Sequence, residues 1–130
     1  MKKRIIINGS SIKDIPTFYQ EINRVFMSDE NWEIGQSLDA FNDLLYGGFG
    51  FIKSGEAVEL IWNNSEESRQ SLGYAVTKAY YNEKLKPDSP FNKEMFRKKL
   101  VALENGNGET YFEIILSVIT DHPTIELILD

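Results

Sequence analysis

The stretch Trp32-Glu-Ile-Gly-Gln-Ser-Leu-Asp-Ala-Phe-Asn-Asp-Leu-Leu45 decides how the other residues of this 130-residue chain are read. Ser37 is an N-cap, because its hydroxyl can accept one of the free N–H groups of a first helical turn. Behind it Leu38, Phe41 and Leu45 recur at helical spacing. At about 100° per residue they fall within an arc of about 60°. A helix is predicted from Ser37 to about Tyr46, stopped by Gly47-Gly48. Asp39 and Asp43 are four apart and share a line nearly opposite the apolar arc. Like charges so spaced repel, by roughly a few tenths of a kcal/mol. A sequence that keeps both either solvates the face or presents it to a basic partner.

Working outward, residues 2–8 are charged and then β-branched, and predict a short strand buried on both faces. Gly9-Ser10-Ser11 turns the chain. Asp14 is an N-cap and Pro16 suits a first helical turn. Phe18, Ile22, Val25 and Phe26 then predict a first helix to about residue 26, followed by an acidic loop over 28–36. Downstream of the second helix, Ala57-Val-Glu-Leu-Ile-Trp62 reads as a second strand. One helical stretch follows from Asn64-Ser65 to about Lys84, carried by Leu72, Val76, Ala79 and Tyr80. Lys86-Pro-Asp-Ser-Pro90 breaks it. Asn92 caps a further helix to about Glu104, which Asn105-Gly-Asn-Gly108 ends. A last helix over about 109–121 places Phe112, Ile115, Leu116 and Ile119 on one side, and residues 124–129 form a final strand after Pro123. Strands alternating with helices predict a single α/β domain over residues 1–130 with parallel pairing.

Composition excludes several functions. Hydrophobic residues are 42% and charged residues 26%, values of an ordinary soluble globular chain. There is no Cys, which removes disulfides, thiol catalysis and thiolate zinc sites. A single His removes paired-imidazole catalysis and multi-His metal sites. The net charge of −6 is opposite to that of a nucleic-acid binder. No segment approaches the roughly 18 apolar residues that span a bilayer. Met1-Lys-Lys-Arg4 resembles the start of a signal peptide, but the apolar run Ile5-Ile-Ile7 is far short of the roughly 7–15 residues needed. A cytoplasmic protein is the expectation.

The charges are segregated. Residues 25–52 hold five acids and no Lys or Arg, and residues 100–130 hold six acids and no Lys or Arg. Glu113, Ser117 and Asp121 form a polar line on the last helix. Residues 53–99 mix Tyr74, Tyr80, Tyr81 and Phe91 with several Lys and Arg, but their net charge is only +2, which reads as a solvated basic face. Gly47-Gly-Phe-Gly-Phe-Ile-Lys-Ser54 fails as a phosphate loop, because Ile52 stands where that motif needs Gly. Nothing in the sequence marks Asp39 and Asp43 as the acid–base pair of a glycosidase. His122 lies at a helix end, where a cation suits the dipole, and reads as a structural or exposed His.

Ile7-Asn-Gly-Ser-Ser-Ile-Lys-Asp-Ile15 resembles the first strand and turn of the barstar family of intracellular ribonuclease inhibitors. Trp32–Leu45 resembles that family's signature, an aromatic loop, a Gly and a Leu-Asp-Ala segment entering the second helix. Thr124-Ile-Glu-Leu-Ile-Leu129 resembles its last strand, so the resemblance covers about residues 1–62 and 109–130. It implies a small three-stranded parallel sheet packed by helices, with about two extra helices inserted over about 63–108. It also implies a non-enzymatic protein without cofactor or metal, a monomer until its second helix and preceding loop plug a barnase-type or toxin ribonuclease. It implies no direct contact with nucleic acid or membrane. A site that cuts RNA must be basic to hold phosphate, so an acidic helix can occupy it as a phosphate mimic.

Carried over by position, Asp43 is the central inhibitory acid, Asp39 the acid one turn earlier, Gly35 the loop Gly that approaches the enzyme, and Asp121 a peripheral acid on the last helix. The chain departs from the family elsewhere. Glu33 and Ile34 stand for two loop aromatics, Trp32 is displaced by one, Asn42 replaces a Trp and Ser117 replaces an acid. The alternative is a protein-interaction module that keeps the fold without inhibiting a nuclease.

Overall fold

The computed structural model describes residues 2–130. The elements are β1 (Lys3–Asn8), α1 (Ile15–Phe26), α2 (Leu38–Tyr46), β2 (Val58–Asn63), α3 (Ser65–Ser71), α4 (Tyr74–Lys84), α5 (Lys93–Glu104), α6 (Tyr111–Thr120) and β3 (Ile125–Leu129). The strands form the expected parallel sheet in the order β1-β2-β3. Among the described residues no helix is long and apolar enough to cross a membrane.

β1 is not buried on both faces. Ile5 and Ile7 point into the core while Arg4, Ile6 and Asn8 are exposed, Ile6 by 47%. The register sets Ile6 beside Ile61 and Ile61 beside Ile128, with Arg4, Glu59 and Glu126 as the neighbouring row. These outward rows are exposed or half-buried because the helices cover only the opposite face. A two-layer packing leaves alternation where three layers would bury both sides.

The core centres on Trp62 of β2, which stacks on Phe18 of α1 at 6.0 Å and meets Phe112 of α6 edge-on at 5.2 Å. Its indole N–H donates to Ser68 Oγ at 2.9 Å, and that hydroxyl donates to the Gly9 carbonyl at 3.1 Å. α3 is thereby pinned to the turn after β1. A Cβ on Gly9 would lie 2.3 Å from the Asn63 carbonyl, so this approach admits only glycine.

Local signals set most boundaries. Asp14 and Thr17 form a reciprocal capping box, with Pro16 in the first turn of α1. Ser37 Oγ accepts from Ala40 N at 3.0 Å, and Asn92 Oδ1 accepts from Met95 N at 3.1 Å. Gly47, at φ +88°, ends α2. A second capping box, Thr110 with Glu113, starts α6.

The single helix expected from about 65 to 84 is two helices, α3 and α4. The buried Leu72 and Gly73 lie at the break. The Leu72 carbonyl accepts from Phe112 N at 3.2 Å, so it serves α6 instead of a continuing helical ladder. Thr77 Oγ1 accepts from Tyr111 N at 2.7 Å, and the buried Tyr111 and Tyr19 hydroxyls meet at 2.7 Å. α4 is thus fastened to α6, and α6 to α1. Tyr81, Phe96 and Leu103 make a small separate cluster between α4 and α5.

Candidate partner-binding site

α2 buries Phe41, Leu44 and Leu45. Leu38, expected in that stripe, is only half-buried, and Leu44 completes it instead. Asp39 and Asp43 are exposed on the other side. Among the described residues, neither has a Lys, Arg or His nitrogen within 4.0 Å, and the same holds for Glu33 and Asp121. Asp39 and Asp43 therefore stand unneutralised on a helix fixed by its cap and its buried face.

The loop before α2 is tied down at one residue. Asn23 of α1 accepts from Ile34 N at 2.9 Å and donates to the Ile34 carbonyl at 3.3 Å. Both backbone groups are satisfied by one buried side-chain amide. The Ile34 side chain turns into the core and is 8% exposed, so it offers no side chain to a partner. Trp32, Glu33 and Gly35 remain exposed on either side of this anchor. Trp32 leans on Phe49 with ring centroids 5.3 Å apart. A Cβ on Gly35 would meet nothing within 4 Å, and its backbone is not left-handed. The fold itself does not need glycine there.

Asn42 is half-buried, and its side chain is engaged within the protein. Its Oδ1 accepts from His122 Nε2 at 2.7 Å, while Tyr46 lies edge-on to the imidazole at 4.5 Å. His122 is 4% exposed, in the turn that links α6 to β3. Burial pulls its pKa below the ordinary histidine value, against a weaker opposing pull from the Asp121 charge. Of the two expected readings, structural or exposed, His122 takes the structural one, and its burial opposes the charge that the helix end would favour. The bond joins the residue before Asp43 to the residue after Asp121, and so connects the α2 face to the end of α6.

The polar line on α6 is only partly free. The Glu113 carboxylate accepts from Thr110 N at 2.9 Å within the capping box, and Ser117 Oγ donates to Glu109 at 3.2 Å. Asp121 is exposed at the C-cap of the helix. Neither the role of Asn23 nor the Asn42–His122 bond is legible in the sequence. Asn23 lies one residue beyond an apolar position with no pattern to mark its amide, and the second pair is 80 residues apart in sequence.

The sequence profile described as Barstar (barnase inhibitor) matches residues 3–80. The chain belongs to the barstar family. Its match to barstar runs from the start of β1 into α4, and so includes α1, the 32–36 loop and α2. It stops short of α6, which carries Ser117 and leads to Asp121. No match was found among curated proteins.

Proposed function

We propose that the protein is a ribonuclease inhibitor of the immunity type, a binding protein with no catalytic role, which blocks the basic active site of a barnase-type or toxin ribonuclease with α2 and the preceding loop. The observation that carries this reading is the pair Asp39 and Asp43, exposed and unneutralised on one face of a helix whose other face is locked into the core. Rigid carboxylates need no reordering to replace phosphate among the enzyme's cations. Asp43 is the central contact, Asp39 flanks it, and the exposed backbone at Gly35 lets the enzyme surface approach closely. Trp32, Glu33, Ser117 and Asp121 lie at the periphery. Such a protein acts in the cytoplasm and binds the enzyme, not its RNA.

A second reading is favoured by two observations. Ile34 is buried and the Asn42 side-chain oxygen is taken by His122, so two positions of the family's contact surface are drawn inward. On this reading the chain is an interaction module that keeps the fold for a partner other than a nuclease.

The experiment is titration of the purified protein against a panel of barnase-type ribonucleases, with cleavage of a fluorescent RNA as the signal. Suppression at near-stoichiometric ratio is expected for at least one enzyme. Neither binding nor inhibition across the panel removes the inhibitor reading and leaves the second.

A further inference from the structure

A cleft of about 360 Å³ opens beside the first turn of α2. Ser37 and Asp39 form one wall, and Tyr80 and Lys84 of α4, with Phe91 and Met95 from the turn and start of α5, form the other. Phe91 and Met95 stay 46% and 42% exposed, an apolar surface left open to water. Lys84 is half-buried, with its Nζ 3.8 Å from the Phe91 ring centroid and 5.0 Å from that of Tyr80. Among the described residues, no carboxylate lies within 4.0 Å of it. Both rings attract the ammonium and cover part of it, but neither neutralises its charge. The Tyr80 phenol has its pKa raised by burial first and by the Asp39 charge second, which puts Asp39 within electrostatic reach of the far wall. The cleft is therefore apolar, with an unpaired cation on one wall and an unpaired anion on the other.

We infer that this cleft is a second, specificity-determining half of the ribonuclease interface, and that it takes an apolar side chain of the enzyme flanked by a carboxylate. The inference rests on the inhibitor reading. The apolar group lies on Phe91 and Met95, and the carboxylate completes the coordination of Lys84. Asp39 belongs both to the cleft and to the acidic line with Asp43, so an enzyme seated on that line is already at the mouth of the cleft. The acids of α2 suit any basic nuclease site. An apolar pocket with one buried-edge cation suits few, because a wrong partner leaves Lys84 desolvated and unpaired.

The test uses the ribonuclease of the panel that the parent protein binds most tightly. Its affinity is measured for the parent and for Asp43→Ala, Met95→Lys, Phe91→Ala and Lys84→Glu, each checked for an unchanged circular dichroism spectrum. Met95→Lys, Phe91→Ala and Lys84→Glu are each expected to weaken binding by about tenfold. A carboxylate-to-lysine scan of the enzyme is expected to find one position that restores binding to Lys84→Glu. Should Phe91→Ala lose structure, Met95→Lys and the Lys84→Glu rescue decide the matter. Loss of binding in Asp43→Ala with parental affinity in all three cleft variants overturns the inference and leaves the inhibitor reading standing. Absence of binding by the parent to every ribonuclease overturns both. If Met95→Lys abolishes self-association of the free chain and leaves ribonuclease binding unchanged, a second copy covers the cleft and the inference is overturned.

Discussion

His122 Nε2 donates a hydrogen bond to Asn42 Oδ1 at 2.7 Å, joining the turn after α6 to the middle of α2 across 80 residues of sequence. The bond fixes the tautomer, since Asn42 Oδ1 can only accept. It acts with the buried Phe41, Leu44 and Leu45 in holding the rotation of α2 about its axis, which leaves Asp43 exposed. The orientation of the candidate binding face thus depends on a histidine that packs under it.

Stability should fall on mild acidification because of His122. The folded-state pKa of His122 is lowered, with burial as the main cause. The contribution is fully present above the unfolded histidine value, roughly pH 6.5, and is lost as pH falls from there through the lower folded value. Denaturant midpoints of the parent and His122→Gln, taken at about pH 7.5, 6.5 and 5.5, isolate it. The gap between the two proteins should narrow as pH falls. A gap that stays constant would mean that His122 does not titrate differently on folding.

Asp43→Ala should damage binding most and stability least. Asp43 is exposed, opposite the buried face of α2, and exposed changes fall within about ±0.5 kcal/mol. Relief of its repulsion with Asp39 can even raise the melting temperature slightly. In a complex it is desolvated against cations. The general range for truncating such a group, to which the barnase–barstar pair itself contributes, is about 2–5 kcal/mol. Asp39→Ala should cost less, and Asp121→Ala least, with its effect mostly on association rate and salt dependence. Melting curves paired with affinities check the order. An Asp43→Ala protein that melts far below the parent would make Asp43 structural.

The positions of the three strands, the caps at Asp14, Ser37 and Asn92, and the outward line of Asp39 and Asp43 could be read in the sequence because each rests on local chemistry or on a period of a few residues. What could not be read depends on distant partners. The open face of β1 follows from where the helices pack, and a run of Ile5-Ile-Ile7 looks the same with one face covered or two. The break at Leu72-Gly73 follows from Phe112 claiming a carbonyl 40 residues earlier in the chain. Ile34 reads as a loop residue, yet Asn23 holds its backbone and turns its side chain inward. The cleft at Lys84 needs α2, α4 and α5 in place before it exists.

Asn23→Leu should loosen the binding loop. The substitution removes the amide that satisfies both backbone groups of Ile34. A buried polar group left unpaired costs about 1–3 kcal/mol, so the protein should melt lower while keeping its fold. Hydrogen exchange at the Ile34 amide should accelerate more than exchange in β2. Equal acceleration at both would mean that Asn23 supports the core generally and not the loop.

Gly35→Ala separates what the fold needs from what a partner needs. The added Cβ meets no atom within 4 Å, and the backbone at Gly35 is not in the left-handed region. Replacing Gly by Ala at a compatible position restricts the unfolded chain and stabilises by about 0.4–1 kcal/mol. The variant should therefore melt at or slightly above the parent. If the enzyme's surface approaches the loop backbone here, the same methyl intrudes on the contact, and affinity should fall with the carboxylates of α2 untouched. The loss should appear in the dissociation rate and show little salt dependence, in contrast to Asp121→Ala. A variant that is no less stable and binds as tightly as the parent would place the loop outside the interface and confine binding to α2 and what lies beside it.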